Sequence, residues 1–390
     1  MSYAVRNVKI VTPFRIIENG SVIVTGKKIS ALGSVQDVKI PSSMKSYDMN
    51  GMILTPGFID VLVHGGGGAG FADDNEESIG TVSEFFFEHG TTGLLASLYS
   101  KPLKLLVKDV ARIAKHVDAH IDTNVRGIHM EGPFINPEMK GAMKEEYLWK
   151  PDVDSWNQLY AASKGYIKLM TIAPELPGCH DVMRAAANDR VVLSVGHSMA
   201  LFHEIEAAID NGAAHVTHMF NAMQPFHHRE PGVIVGGLLR NELKLELIAD
   251  GIHVHPAVMR LMYNIKGDGG IVLITDAIRA RGMPDGDYTF MYQKIKVKDK
   301  KAFLEDGTLA GSTLTMERAV QNMVELVGVP LTDAVRMASL NGAKVLGLES
   351  RKGILAVGKD ADFVLVDSNF DVHLTIYEGN VKYDRNRIMK

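Results

Sequence analysis

From Gly212 to Gly232 the chain reads GAAHVTHMFNAMQPFHHREPG, with four histidines, an arginine and an asparagine among small and turn-forming residues. Imidazole is both a metal ligand and a proton acceptor near neutral pH, so this stretch can do chemistry that a core segment has no use for. Ala213 to His218 reads as a short strand, and the Asn, Gln, Pro and Gly that follow read as a loop. Side chains alternate along a strand, so His215 and His218, three apart, point opposite ways and only one can face a barrel interior. His218, at the strand's end, is the candidate ligand; His215 is read as a hydrogen-bonded packing histidine.

The elements that would position such a ligand recur along the chain. Apolar runs at Phe58–His64, Gly93–Ser97, Gly127–Glu131, Lys168–Ala173, Val191–His197, Ala213–His218, Lys244–Asp250 and Ile271–Asp276 alternate with helical patterns. Those patterns include Glu76–His89, Leu103–His116, Leu201–Asn211, Met316–Leu326 and Ala334–Leu346. Eight β/α units predict a TIM-like (β/α)8 barrel over residues 55–348. Short β-rich runs at both ends, Val8–Val11 and Ser21–Thr25 against Ala361–Val366 and Val372–Tyr377, predict a small β-sandwich from residues 1–54 and 349–390. Glu18-Asn19-Gly20 reads as a turn between two of them.

Active sites of such barrels lie at the C-terminal mouth of the strands. Five of the runs end there in His64, Glu131, His197, His218 and Asp276. Glu131, His197 and His218 can supply three protein ligands with an open position, the pattern of a catalytic metal site. Imidazole and carboxylate without thiolate suit one divalent ion per subunit, zinc or ferrous iron, and do not choose between them. Asp276 then fits a general base acting on water, which predicts hydrolysis.

Composition narrows the partners. With 46% hydrophobic and 23% charged residues the chain is globular, and a net charge of −4 without a basic run argues against nucleic acid or an anionic membrane. A small molecule is the expected ligand. Cys179 is the only cysteine, which excludes an intrachain disulfide and a Cys-based zinc site and suggests a cytoplasmic protein. The first residues, MSYAVRNVKIVTPFRIIENG, lack the continuous apolar region of a signal peptide, and no apolar run reaches transmembrane length.

Several segments together resemble the N-acetylglucosamine-6-phosphate deacetylases of the amidohydrolase superfamily. They are PGFIDVLVHG (56–65), GIHMEGPFINPEMKGA (127–142), SVGHS (194–198), HVTHMFNAM (215–223), HHREPG (227–232), IADGIHVHP (248–256), LITDAIRARG (273–282), DGTLAGSTLTM (306–316) and KGILAVGKDADFVLVD (352–367). The resemblance implies that Glu131, His197 and His218 hold the metal and that Asp276 handles the proton. It also implies phosphate recognition by Arg229 and His253 with backbone near Asn221 and Ala222, partly across a homodimer. Ala310-Gly311-Ser312 would lie near the sugar. Arg suits bidentate phosphate recognition, and a Glu-Pro-Gly turn could hold it rigidly.

Two positions depart from the pattern. Many amidohydrolases carry His-x-His at the end of the first strand, whereas this chain has Leu62-Val63-His64, so a mononuclear site is expected. His64 then stands open between substrate contact, weak ligand and packed residue. Met143 occupies a position where many relatives have histidine, and a thioether cannot donate a hydrogen bond to a carbonyl. His129, on the strand face of Glu131, is either a substitute donor or a buried barrel-layer histidine. Three alternative readings accompany the deacetylase: the galactosamine epimer as substrate; a cyclic-amide hydrolase, which requires a lysine near the end of the fourth strand where Lys168 instead opens it; and a weakly catalytic protein that binds amino-sugar phosphates.

Overall fold

The computed structural model describes residues 2–389. The eight apolar runs form eight strands, β1 (Phe58–Val63), β2 (Thr91–Tyr99), β3 (Val125–Glu131), β4 (Ile167–Ile172), β5 (Val192–Val195), β6 (Ala213–Val216), β7 (Lys244–Ile248) and β8 (Ile271–Ile274). They hydrogen-bond in chain order in one sheet, and the ladders from β2 to β8 are parallel. Every residue of β1 and β2 is buried, as expected for strands covered on both faces. The sheet nearly closes on itself at its C-terminal mouth. There the Asp276 N–H donates to the Leu62 carbonyl (2.9 Å) and the His64 N–H to the Ala277 carbonyl (2.9 Å).

Helices follow the strands where the periodicity predicts them, at Glu77–Glu88, Leu103–Ala119 and Phe202–Asp210. Near the C-terminus Met316–Glu325 is helical as expected. The stretch expected as one helix over Ala334–Leu346 is instead two, Leu331–Ala338 and Leu340–Val345. The break is at Ser339, whose φ of −135° and ψ of −72° leave the helical region.

Strands from the two chain ends join one mixed eight-stranded sheet, the form taken by the expected terminal β-sandwich. Its order is Asn380–Asp384, Val372–Tyr377, Phe363–Val366, Ile53–Pro56, Ser2–Val11, Ile16–Thr25, Lys28–Ser34, with Ser46–Asp48 also paired to Ser2–Val11. Leu365 opposes Leu54 where the two ends of the chain meet. Val8, Ile10, Val22, Leu54, Phe363 and Leu374 contribute to its buried apolar core. Glu18-Asn19-Gly20 is not a turn: it lies inside the strand Ile16–Thr25, where Gly20 pairs with both Val8 and Ser34. Pairing on two sides overrides the local turn preference.

By packing, the chain divides into two compact units. One comprises the chain up to Asp60, Glu84–Gly93 and the chain from Thr315 onward; the other comprises Val61–Ser83 and Leu94–Leu314. Among the described residues no helix is long and apolar enough to cross a membrane.

Candidate active site

The polar strand ends gather in the second unit. Glu131 closes β3, whereas His197, His218 and Asp276 lie two residues beyond the ends of β5, β6 and β8. All three of the latter take positive φ values, 50°, 29° and 51°. Such turns redirect a side chain that strand alternation alone would send elsewhere, at some cost in backbone strain.

Ligand atoms of Glu131, His197 and His218 lie within 4.8 Å of one another, and all three residues are buried. The Nε2 atoms of His197 and His218 are 3.0 Å apart, and each is 3.3 Å from Glu131 Oε1. His197 Nδ1 donates to the Met139 carbonyl at 2.6 Å, which leaves Nε2 of the neutral ring with its lone pair directed at the cluster. Two ring nitrogens and a carboxylate oxygen converging at this spacing fit a divalent cation between them. The second carboxylate oxygen, Glu131 Oε2, is buried and turned away from the two rings toward His64. Burial opposes the charge of Glu131, but the imidazoles beside it, His64 foremost, outweigh burial and hold the carboxyl well below its usual range.

His64 stands between this cluster and Asp276. Its Nε2 is 3.1 Å from Glu131 Oε2 and 3.3 Å from Asp276 Oδ1, and its ring packs on Phe290 with centroids 5.2 Å apart. Burial pulls its pKa down, yet the two carboxylates more than offset that and raise it to about 10. His129 is engaged away from the cavity, through Nδ1 with the Ser97 hydroxyl (3.2 Å) and Nε2 with the Thr171 hydroxyl (2.8 Å). Burial lowers its pKa to about 3, so its ring is neutral. His215 is likewise buried, its pKa lowered to about 4 chiefly by desolvation, with Nδ1 3.9 Å from Glu246.

A cavity of about 470 Å³ opens above the cluster. Its lining includes His64, Glu131, His197, His218 and Asp276, together with Met143, Asn221, Ala222, His253 and Gly311. His253 is fixed by Asp250, whose Oδ2 lies 2.7 Å from Nδ1. Burial lowers the His253 pKa, but Asp250 outweighs it and the net shift is upward. Asn221 donates through Nδ2 to the carbonyls of His218 and Met219, bracing its own turn, and Ala222 follows with φ 47°. Met143 belongs to a buried apolar cluster with Tyr99, Ile278, Phe290 and Met291.

Three of the residues expected at the ligand do not line this cavity. Arg229 is on an exposed stretch, where its guanidinium meets His228 Nε2 at 2.9 Å. Ala310 and Ser312 brace neighbouring backbone instead: the Ser312 N–H donates to the Asp276 carbonyl (2.8 Å) and its hydroxyl to the Thr275 carbonyl, and the Ala310 N–H donates to the Ala302 carbonyl (3.0 Å). Lys168 lies in the first half of β4 and donates to the Gly165 carbonyl, so no lysine stands at the end that a cyclic-amide hydrolase requires.

The sequence reading did not anticipate the wall formed by Phe290, Met291 and Gln293. They lie at the turn between strands Gly286–Phe290 and Gln293–Lys298, and Gln293 Nε2 donates to the Ala142 carbonyl at 2.6 Å. The alternating KIKVK at 294–298 is the signal for this hairpin; nothing local to it says that its tip faces the Glu-His-His cluster. Met139 was also missed, because it acts through a backbone carbonyl that no residue type announces.

The amidohydrolase family model matches residues 53–382. The N-acetylglucosamine-6-phosphate deacetylase of Bacillus subtilis strain 168 is 38% identical over 386 residues, covering 98% of this chain and 97% of its own. The N-acetylgalactosamine-6-phosphate deacetylase of Escherichia coli O157:H7 is 36% identical over 343 residues, 88% of this chain and 90% of its own. Among solved structures, a mutant N-acetyl-D-glucosamine-6-phosphate deacetylase of Mycobacterium smegmatis, in complex with N-acetyl-D-glucosamine-6-phosphate, superposes with a TM-score of 0.92 at 32% identity, covering 98% of this chain and 99% of its own. With a barrel of this topology, a buried Glu-His-His cluster at its mouth and relatives matched over nearly their whole length, the chain belongs to the amidohydrolase family, within its N-acetylglucosamine-6-phosphate deacetylases.

Proposed function

We propose that this chain hydrolyses N-acetylglucosamine-6-phosphate to glucosamine-6-phosphate and acetate. The observation that carries the proposal is the convergence of Glu131, His197 and His218 in a cavity that Asp276 also lines. Glu131, His197 and His218 hold one divalent ion per subunit, zinc or ferrous iron. When bound, that ion supplies Lewis acidity toward a carbonyl and lowers the pKa of water. Asp276 takes a proton from the attacking water and returns it to the nitrogen as the C–N bond breaks, so that water is consumed and acetate and an amine leave. His64, between Asp276 and Glu131, orients both carboxylates. Met143, Phe290 and Met291 form an apolar wall that excludes bulk water from the reacting centre.

At the phosphate end, His253 recognises the anion with backbone groups near Asn221 and Ala222, and Gly311 allows close approach of the sugar. Arg229, exposed on its own chain, suits a homodimer in which the partner subunit's Arg229 completes the phosphate contact. Segment 55–348 carries the chemistry, and segments 1–54 and 349–390 form the small β domain of a cytoplasmic enzyme. The galactosamine epimer is the second reading, favoured by the match to the Escherichia coli O157:H7 relative of that name.

The test is acetate release from each 6-phosphate epimer by protein reconstituted in turn with zinc and ferrous iron. Release with at least one metal, faster on the glucosamine epimer, is expected. Preference for the other epimer selects the second reading. Binding of the phosphosugars without release from either leaves a binding protein and overturns the proposal.

A further inference from the structure

Between β4 and the helix Cys179–Asn188 lies Glu175, which has no part in the chemistry described so far. Its carboxylate accepts three hydrogen bonds from two other loops. Oε1 accepts from Asn136 Nδ2 (3.0 Å) and from the Met199 backbone N–H (2.7 Å), and Oε2 accepts from the Ser198 hydroxyl (2.7 Å). These are the loops that follow β3 and β5.

Both loops touch His197. The Asn136 backbone N–H donates to the His197 carbonyl (2.9 Å), and the Met139 N–H donates to the Asn136 carbonyl (2.9 Å). The Met139 carbonyl in turn accepts from His197 Nδ1. Ser198 continues the link: its N–H donates to the Ala222 carbonyl and its carbonyl accepts from the Gln224 N–H, both at 3.3 Å, in the loop that carries His218. His197 itself holds a left-handed φ of 50°, a conformation that a residue with a Cβ keeps only when its surroundings impose it.

We infer that Glu175 is a positioning residue of the metal centre, fixing the His197 backbone and the carbonyl that sets its ring tautomer without touching a ligand atom. The inference rests on the reading of Glu131, His197 and His218 as metal ligands. Its chemistry is specific: all three partners of Glu175 donate, and an ionised carboxylate only accepts. Glutamine in its place can keep the two donors at Oε1 but must reverse the Ser198 contact, its amide N–H donating to the hydroxyl, and it loses the charge that strengthens all three bonds.

The test measures zinc affinity by chelator competition on the full-length protein, with thermal unfolding of the metal-free forms alongside. Glu175→Ala is expected to weaken zinc binding about 10- to 100-fold, the usual effect of removing a group that orients a ligand. Glu175→Gln should fall between it and wild type, with excess zinc restoring turnover. Lower thermal stability with unchanged zinc affinity means a purely structural role and overturns the inference. His197→Ala separates the two readings: wild-type zinc affinity there would remove the metal-centre assignment itself, whereas loss there with retention in Glu175→Ala removes only the role of Glu175. Should Glu175→Ala not fold, Asn136→Ala and Ser198→Ala each delete one arm of the clamp. At least one should loosen zinc, and unchanged affinity in both overturns the inference.

Discussion

Three chemistry-bearing residues, His197, His218 and Asp276, sit on left-handed backbone at the mouth of the barrel, where such conformations cost about 1–3 kcal/mol each. Hydrogen bonds around them offset this, among them the Asp276 N–H to Leu62 and the Ser312 N–H to Asp276. Asp276→Asn keeps that backbone and the side-chain shape but loses a proton acceptor. Acetate release should fall about 10²- to 10⁴-fold, with bound zinc unchanged by metal analysis. Normal turnover would remove the proton-transfer role. Arg229→Ala tests the phosphate contact: loss of a charged hydrogen bond, about 1.5–3 kcal/mol, should weaken affinity for the 6-phosphate by roughly 10- to 100-fold. An equal loss on the unphosphorylated sugar would sink that assignment. His129 takes the second of its two readings, a buried barrel-layer histidine, because Ser97 and Thr171 tie up its imidazole.

The elements that matter most are connections rather than strands. The segment from Gly311 to Ser312 runs beside the end of β8, and a Cβ on Gly311 would lie 2.4 Å from Ile278 Cγ2 and 3.0 Å from the Asp276 carbonyl oxygen, at a φ of 61°. Gly311→Ala should therefore displace Asp276 as well as strain the segment. We expect a loss of about 1–3 kcal/mol in urea unfolding together with a reduced kcat. A stability loss with kcat intact would separate the segment from the positioning of Asp276. The hairpin that carries Phe290 and Gln293 is the other such element, a wall of the cavity supplied from between β8 and Gly311.

Over the whole molecule, the terminal strands are bound by charge as well as by their apolar core. Lys352, almost fully buried, lies 2.5 Å from Asp362 and 3.2 Å from Asp360, while Lys28 from the N-terminal half of the sheet reaches Asp360 at 2.6 Å. Lys352→Met leaves the buried Asp362 without its cation, while Asp360 keeps Lys28, and should cost about 3–5 kcal/mol in chemical unfolding. A change below about 1 kcal/mol, the range of an exposed pair, would show that the network is dispensable. At this scale the sequence alone determined the eight-stranded barrel and the joining of the two chain ends, because burial and alternation write themselves into local periodicity, and it placed five polar residues at or just past the strand ends. Only the tertiary structure decided that His64 bridges Glu131 and Asp276, that His129 faces hydroxyls, that Arg229 lies outside the cavity of its own chain, and that Glu18–Gly20 is strand. Those outcomes depend on backbone turns past strand ends and on pairings between distant segments, and neither leaves a periodic trace in the chain.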